Sequence, residues 1–244
     1  MNLQNISPDE VIYFHLGQFP ISATIVYTWG VMLLLVLFSC LVTRKLSTGN
    51  RIPRWQNLLE IIVQVMRDQI REISHQDPGI YLAFIGTLFI FIAVSNMLSV
   101  VPGFIPPTAS LSTTAGLAVC VFVAVFIYGI TQQGILGYFR QYIKPTPFML
   151  PFNVIGEFSR TLALAVRLFG NMMSGAKIAA ILLAVIPLIF PVIMQALGLL
   201  TGLIQAYIFA ILAMVYIASA TRTHHEKAME LENKEQAKKG EVHG

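Results

Sequence analysis

Arg167 lies near the middle of an apolar run from about Phe148 to Ile186. A permanent cation in a hydrocarbon-spanning segment costs ~3 kcal/mol on insertion scales. It is kept only where something compensates it, and the chemistry that uses such a group is ion translocation. Its neighbours are patterned. Asn153, Glu157, Arg160, Arg167, Asn171 and Ser174 follow steps of 4, 3, 7, 4 and 3. At about 100° per residue they share one helix face, with Leu164 in the vacant place of the row. An apolar helix with one polar stripe turns it toward a protein partner or a water-filled cavity. Lys177 falls about 80° off the stripe. It either snorkels to the interface or sets the potential at a pore mouth.

A second, weaker row comprises Gln195, Gly198, Thr201, Gly202, Gln205, Tyr216 and Ser219. Its glycines allow a neighbouring backbone to come close. Two facing helices can thus line an aqueous route, with Arg167 and Gln205 near one another. More ordinary roles exist for several of these residues. Glu157 and Arg160 have the spacing of an intrahelical ion pair. Asn171, Ser174, Gln195 and Gln205 can serve as hydrogen bonds between helices. Arg167 has no such role at hand, because the one acid on its helix is Glu157, ten residues away. Its counter-charge is therefore expected on another chain, or on a mobile group.

These rows need helices in a membrane, and the composition supplies them. The 244 residues are 56% hydrophobic and 11% charged, with a mean hydropathy of +0.71. Soluble domains are about one-quarter charged. The expectation is an all-α integral membrane protein with about five transmembrane helices plus one amphipathic helix, the last two spans long and strongly tilted as a hairpin. The whole chain forms one membrane domain. The net charge of +4 is not gathered on one face, so a nucleic-acid partner is not expected. No metal site and no cofactor is indicated. Cys40 and Cys120 read as small buried hydrophobes without metal spacing. The N-terminus lacks a basic segment, which argues against a cleaved signal peptide.

In chain order, residues 1–22 are mixed in character, with His15 read as a partly buried terminal histidine. Span 1 covers about 23–42. An amphipathic helix follows over 53–74, with Leu58, Leu59, Ile62, Val65, Met66, Ile70 and Ile73 at helical period. Glu60, Gln64, Arg67, Asp68, Arg71 and Glu72 occupy its other side, so it lies on the membrane or partly leaves it. Asp77-Pro78-Gly79 signals a turn. Span 2 covers 80–101, a proline-rich loop follows, and span 3 covers 117–135. A connector carries Arg140 and Lys144. Span 4 covers 148–186 and span 5 covers 188–221, joined by a break at Pro187 to Pro191. Span 4 exceeds the ~30 Å core of a bilayer, which requires a steep tilt, a break or a projecting end. The tail, 222–244, alternates charges as a solvated helix or a disordered end.

Thirteen of the sixteen Lys and Arg lie in 44–71, 140–144 and 222–239. With five spans these segments fall on one side, which the positive-inside rule places in the cytoplasm. The N-terminus is then outside and the C-terminus cytoplasmic.

The run LALAVRLFGNMMSG, with IQAYIFAILAMVYI downstream, resembles subunit a of the membrane sector of F-type ATP synthases. NVIGEF ahead of the arginine, SNMLSVVPGF at the end of span 2 and the five-span plan extend the resemblance over most of the chain. It implies a stator ion-channel subunit beside a rotating ring of c subunits, with peripheral-stalk b subunits and membrane lipid as further partners. Such a subunit has no ATP site of its own and sits in a bacterial plasma membrane or an equivalent energy-coupling membrane. By motif, Arg167 is the essential arginine, Gln205 its neighbour on the last helix and Asn171 a channel residue. Glu157 and Asn153 line the cytoplasmic-side route. Arg160, Ser174, Lys177 and Gln195 are further candidates for ion translocation. Many relatives have an acid where Lys177 stands, some have His or Glu at Gly198, and some have an acid at Ser99. The coupling ion, H⁺ or Na⁺, stays open. The competing readings are a self-contained secondary transporter or channel, which needs its own acid for Arg167, and a purely structural membrane subunit.

Overall fold

The computed structural model describes residues 12–16, 19–44, 54–101, 104–143, 149–185 and 190–242. The expectations about Lys45, Arg51, Lys144 and most of the break before Phe190 lie outside these residues, as do the side chains of His15 and of the charged tail. The architecture is helical and membrane-spanning in character. Four described helices are long and apolar enough to cross a bilayer: Ala23–Leu41, Gly79–Val100, Leu111–Ile135 and Val192–Thr221.

The chain adds one element that the helical reading does not contain. Strand β1 (Ile12–Leu16) pairs antiparallel with β2 (Phe19–Ser22), with His15 opposite Pro20. Ile12, Tyr13 and Phe14 favour extended backbone, and Pro20 is tolerated because both strands of a two-stranded sheet are edges. Helix α1 (Ala23–Thr43) follows directly and packs on the third helix. Most of its surface is exposed on this chain, Cys40 included. Cys120 is also exposed, on the fourth helix, so both cysteines depart from the buried placement expected of them. A thiol is apolar enough to face lipid, and hydropathy alone cannot orient it.

Helix α2 (Arg54–Ser74) keeps Glu60, Gln64, Arg67, Asp68, Arg71 and Glu72 exposed, while Ile70 is buried. Its apolar side rests on the third and sixth helices. Gly86 leaves room for Met66, whose Cε would stand 3.9 Å from an added Cβ. The helix ends at His75, at φ 54°, in a conformation that histidine visits more readily than most residues. The Asp77 carboxylate accepts the Gly79 N–H at 3.2 Å and closes the turn.

Helix α3 (Gly79–Met97), α4 (Leu111–Ile143), α5 (Met149–Val185) and α6 (Phe190–Val242) form the packed body. Tyr81, Ile92, Val121, Leu164, Phe209 and Ile217 are among its fully buried side chains. Short 3-10 turns at Leu98–Val100 and Pro107–Ala109 carry the chain from α3 to α4. Helix α4 does not stop at the expected end of span 3. It kinks at Gly134 and continues to Ile143, so the expected connector is helical that far. Gly134 has φ 72° and ψ 159°, a combination open essentially to glycine alone. Helix α5 has 37 residues, ~55 Å at helical rise. Helix α6 continues through the charged tail to Val242.

Candidate functional site

The polar stripe lies on α5 where that helix packs on α4 and α6, and the packing divides it. Glu157 and Leu164 turn inward, 7% and 1% exposed. Arg160, Arg167, Asn171 and Ser174 are exposed, and Asn153 is intermediate. The row therefore runs along the edge of the packed face rather than across its middle.

At the start of α5, Arg160 Nη1 donates to Glu157 Oε2 at 3.2 Å, the ion pair that the spacing allowed. The carboxylate side is nearly buried and the guanidinium side is half exposed. The Arg160 guanidinium also stands over the Tyr216 ring of α6, 5.9 Å from its centroid, a cation–π arrangement. Thr161 Oγ1 donates to the Glu157 carbonyl at 3.0 Å. A polar cavity of about 440 Å³ opens here, lined by Asn153, Glu157, Arg160 and Ser219 with Phe152, Gly156 and Ala220.

Ten residues further along α5, ~15 Å at helical rise, is Arg167. It is exposed, and the one ion pair among the described residues is Glu157–Arg160. Arg167 has no hydrogen-bond partner among them either. Leu164 and Leu168, 1% and 0% exposed, seal α5 against its neighbours at this level.

One turn beyond, Asn171 Nδ2 donates to Gln205 Oε1 at 2.8 Å and joins α5 to α6. Gln205 is 2% exposed. The structure bonds it to Asn171, one turn along α5 from Arg167. Its Nε2 and Ser95 Oγ are buried polar atoms with no partner among the described residues. Gln195 Nε2 donates to the Ser99 and Val100 carbonyls at 3.3 and 3.2 Å, so this glutamine ties α6 to the end of α3. A second cavity, about 490 Å³, is bounded by Ser99, Phe104, Asn171, Gln195, Gly198 and Thr201, among others. Ser174 and Lys177 are exposed and line neither cavity.

The two cavities thus lie at separate levels of one helix. Glu157 and Asn171 are ~21 Å apart along its axis, with Arg167 between them. Among the described residues no group of three His, Cys, Asp or Glu could hold a metal ion. Two further residues shape this region. Asn96 is 1% exposed and Thr108 is fully buried, and they bond to each other. In sequence, Asn96 is one polar residue among several near the end of span 2, with no spacing that sets it apart. Thr108 sits in a proline-rich stretch whose lack of period carries no signal.

The family description "ATP synthase A chain" matches residues 25–218. The chain is 60% identical over 222 residues to ATP synthase subunit a of Albidiferax ferrireducens, covering 91% of this chain and 96% of that one. It is 61% identical over 218 residues to ATP synthase subunit a 2 of Acaryochloris marina, with 89% and 93% covered. Against ATP synthase subunit a 1 of Chlorobaculum parvum the identity is 59% over 222 residues, with 91% and 98% covered.

Proposed function

The chain belongs to the ATP synthase A chain family, and from that premise we infer how its two cavities and its isolated arginine work as the stator ion channel of a rotary ATP synthase. It is a membrane protein and a component of that enzyme's membrane sector. Its working partner is a ring of c subunits whose carboxylates pass α5. Peripheral-stalk b subunits hold it still. The N-terminus is outside and the C-terminus cytoplasmic, as the basic segments require.

The observation that carries the reading is the arrangement along α5: a polar cavity at the level of Glu157, a second and mostly apolar cavity walled in part by Asn171, Gln195 and Ser99, and between them a cation with no partner among the described residues. The cavity at Asn153, Glu157, Arg160 and Ser219 is the cytoplasmic half-channel. The cavity at Asn171, Gln195 and Ser99 opens to the other side, with Gln205 behind Asn171. Neither half-channel crosses the membrane alone, so net transport requires a carrier that visits both.

A ring carboxylate arrives carrying its ion, because a bare anion is too costly to move through lipid. Near Arg167 the balance changes. Opposite charges 4 Å apart attract by roughly 4 kcal/mol at an effective dielectric of 20, worth about three pKa units. The carboxylate ionises and its cation leaves through one half-channel. On moving past the arginine it is refilled from the other. Arginine suits this task because it stays protonated where a desolvated lysine would lose its charge. The same positive charge repels a cation that would hop between cavities without turning the ring. The self-contained transporter is disfavoured, since Arg167 has no acid partner among the described residues of its own chain.

Arg167→Ala in membrane vesicles carrying the whole synthase tests this. ATP-driven ion pumping should fall to background, while the substituted chain still co-purifies with the ring and stalk. Retained pumping would sink the proposal, and lost assembly without any specific defect in pumping would favour a structural role.

A further inference from the structure

Asn96 lines neither cavity, yet it binds together three segments around the second one. It sits in the last turn of α3 and is 1% exposed. Its Nδ2 donates to the Gly202 carbonyl of α6 at 2.8 Å. Its Oδ1 accepts from Thr108 Oγ1 at 2.6 Å, in the 3-10 turn that leads into α4. Its own carbonyl accepts from Ser99 Oγ at 2.6 Å. The amide orientation is unambiguous, because a carbonyl only accepts and the threonine hydroxyl must then donate.

The fit at Gly202 is equally particular. A Cβ there would lie 2.9 Å from Asn96 Cβ and 3.1 Å from Met172 Cε. The absence of a side chain lets α3 and α5 close on α6 at one point. Gly202 is one turn from Gln205, Met172 adjoins Asn171, and Ser99 offers its carbonyl to Gln195. Every polar contact that shapes the second cavity is therefore within a turn of an atom that Asn96 holds.

We propose that Asn96 is a positioning residue of the non-cytoplasmic half-channel: its amide sets the level of α6 against α3 and so holds Gln205 opposite Asn171 and Gln195 on the Ser99 carbonyl. This rests on the stator-channel reading of the two cavities. A helix carbonyl is already engaged within its own helix and accepts a second donor with its other lone pair. The bond to Gly202 thus adds register without breaking the helix. Without it, α6 can slide or turn against α3, which misplaces the second cavity and leaves the first intact.

The test uses the whole synthase in vesicles, with Cys40 and Cys120 replaced by serine and a single reporter cysteine, Thr201→Cys at the second cavity or Ser219→Cys at the first. Asn96→Leu removes both side-chain bonds. Thr108→Val removes one of them while keeping shape, and serves if Asn96→Leu fails to assemble. For each, the rate of labelling by a small water-soluble maleimide is compared with that of the parent. The expected result is a change of about fivefold or more at Thr201→Cys, no change at Ser219→Cys, and at least a tenfold fall in ATP synthesis with assembly retained. An unchanged rate at Thr201→Cys, or equal changes at both reporters, would overturn the proposal. Arg167→Ala separates the two levels of the argument. If that variant still pumps, the channel reading fails. If it does not pump but Asn96→Leu and Thr108→Val label like the parent, only the role of Asn96 fails.

Discussion

Arg167 and Arg160 occupy the same stripe of α5 but meet different conditions. Arg160 has Glu157 at 3.2 Å and the Tyr216 ring beside it. Arg167 has neither among the described residues and is exposed, as the proposed encounter with a ring carboxylate needs. Taking Asn171 as zero, Glu157 and Leu164 lie about +40° and +20° around the helix, while Arg160 and Arg167 lie about −20° and −40°. That difference of some tens of degrees separates an acid turned into the subunit from cations turned out of it. The Arg160 side of this pair is half exposed and the Glu157 side nearly buried at the cavity wall, so the proposed cytoplasmic half-channel can be tested at Glu157. Glu157→Gln keeps the size and removes the charge, while Asn153 and Ser219 still line the space. Passive ion conductance through vesicles stripped of the catalytic sector should drop about tenfold, the equivalent of one pK unit of lost interaction, with assembly normal. A conductance equal to that of the parent would remove Glu157 from the route.

At the scale of elements, the kink in α4 is the least replaceable backbone feature. Gly134 at φ 72°, ψ 159° turns the helix axis. The neighbouring Gln133 Nε2 donates to the Ala220 carbonyl of α6 at 2.6 Å, next to Ser219 in the first cavity. An alanine at 134 meets no steric neighbour, so its cost is purely conformational, on the order of 1–3 kcal/mol. Gly134→Ala is expected to lower the thermal unfolding midpoint of the detergent-solubilised complex. An unchanged midpoint would mean that the kink relaxes freely. The length of α5 is a second element-scale feature. At ~55 Å it is far longer than the ~30 Å bilayer core, which lets a single helix border both cavities and carry an arginine between them.

At the scale of the molecule, the layout is an α3–α6 body with α1 and α2 against its flank. Helix α2 turns its charged side outward and its apolar side to the body, as a helix at a membrane surface should. On the proposed orientation, drawn from the positive-inside rule, that surface is the cytoplasmic one. An epitope tag after Gly244 should be removed by protease added to inverted vesicles and protected in right-side-out ones. The reverse pattern would exchange the sides assigned to the two cavities.

Hydropathy, helical period and the isolation of Arg167 are local properties of the chain. They are enough to indicate a helical membrane protein, an amphipathic α2, a polar stripe on α5 and a missing counter-charge. What they do not contain is the rotation of one helix against the next. That rotation depends on side-chain packing between segments distant in sequence. It bonds Gln205 to Asn171, places both cysteines on outer surfaces, and makes Asn96 the point where α3, α6 and the Thr108 turn meet. It also divides a stripe that is continuous in sequence into an inner acid and outer cations, because the packed face of α5 ends between them.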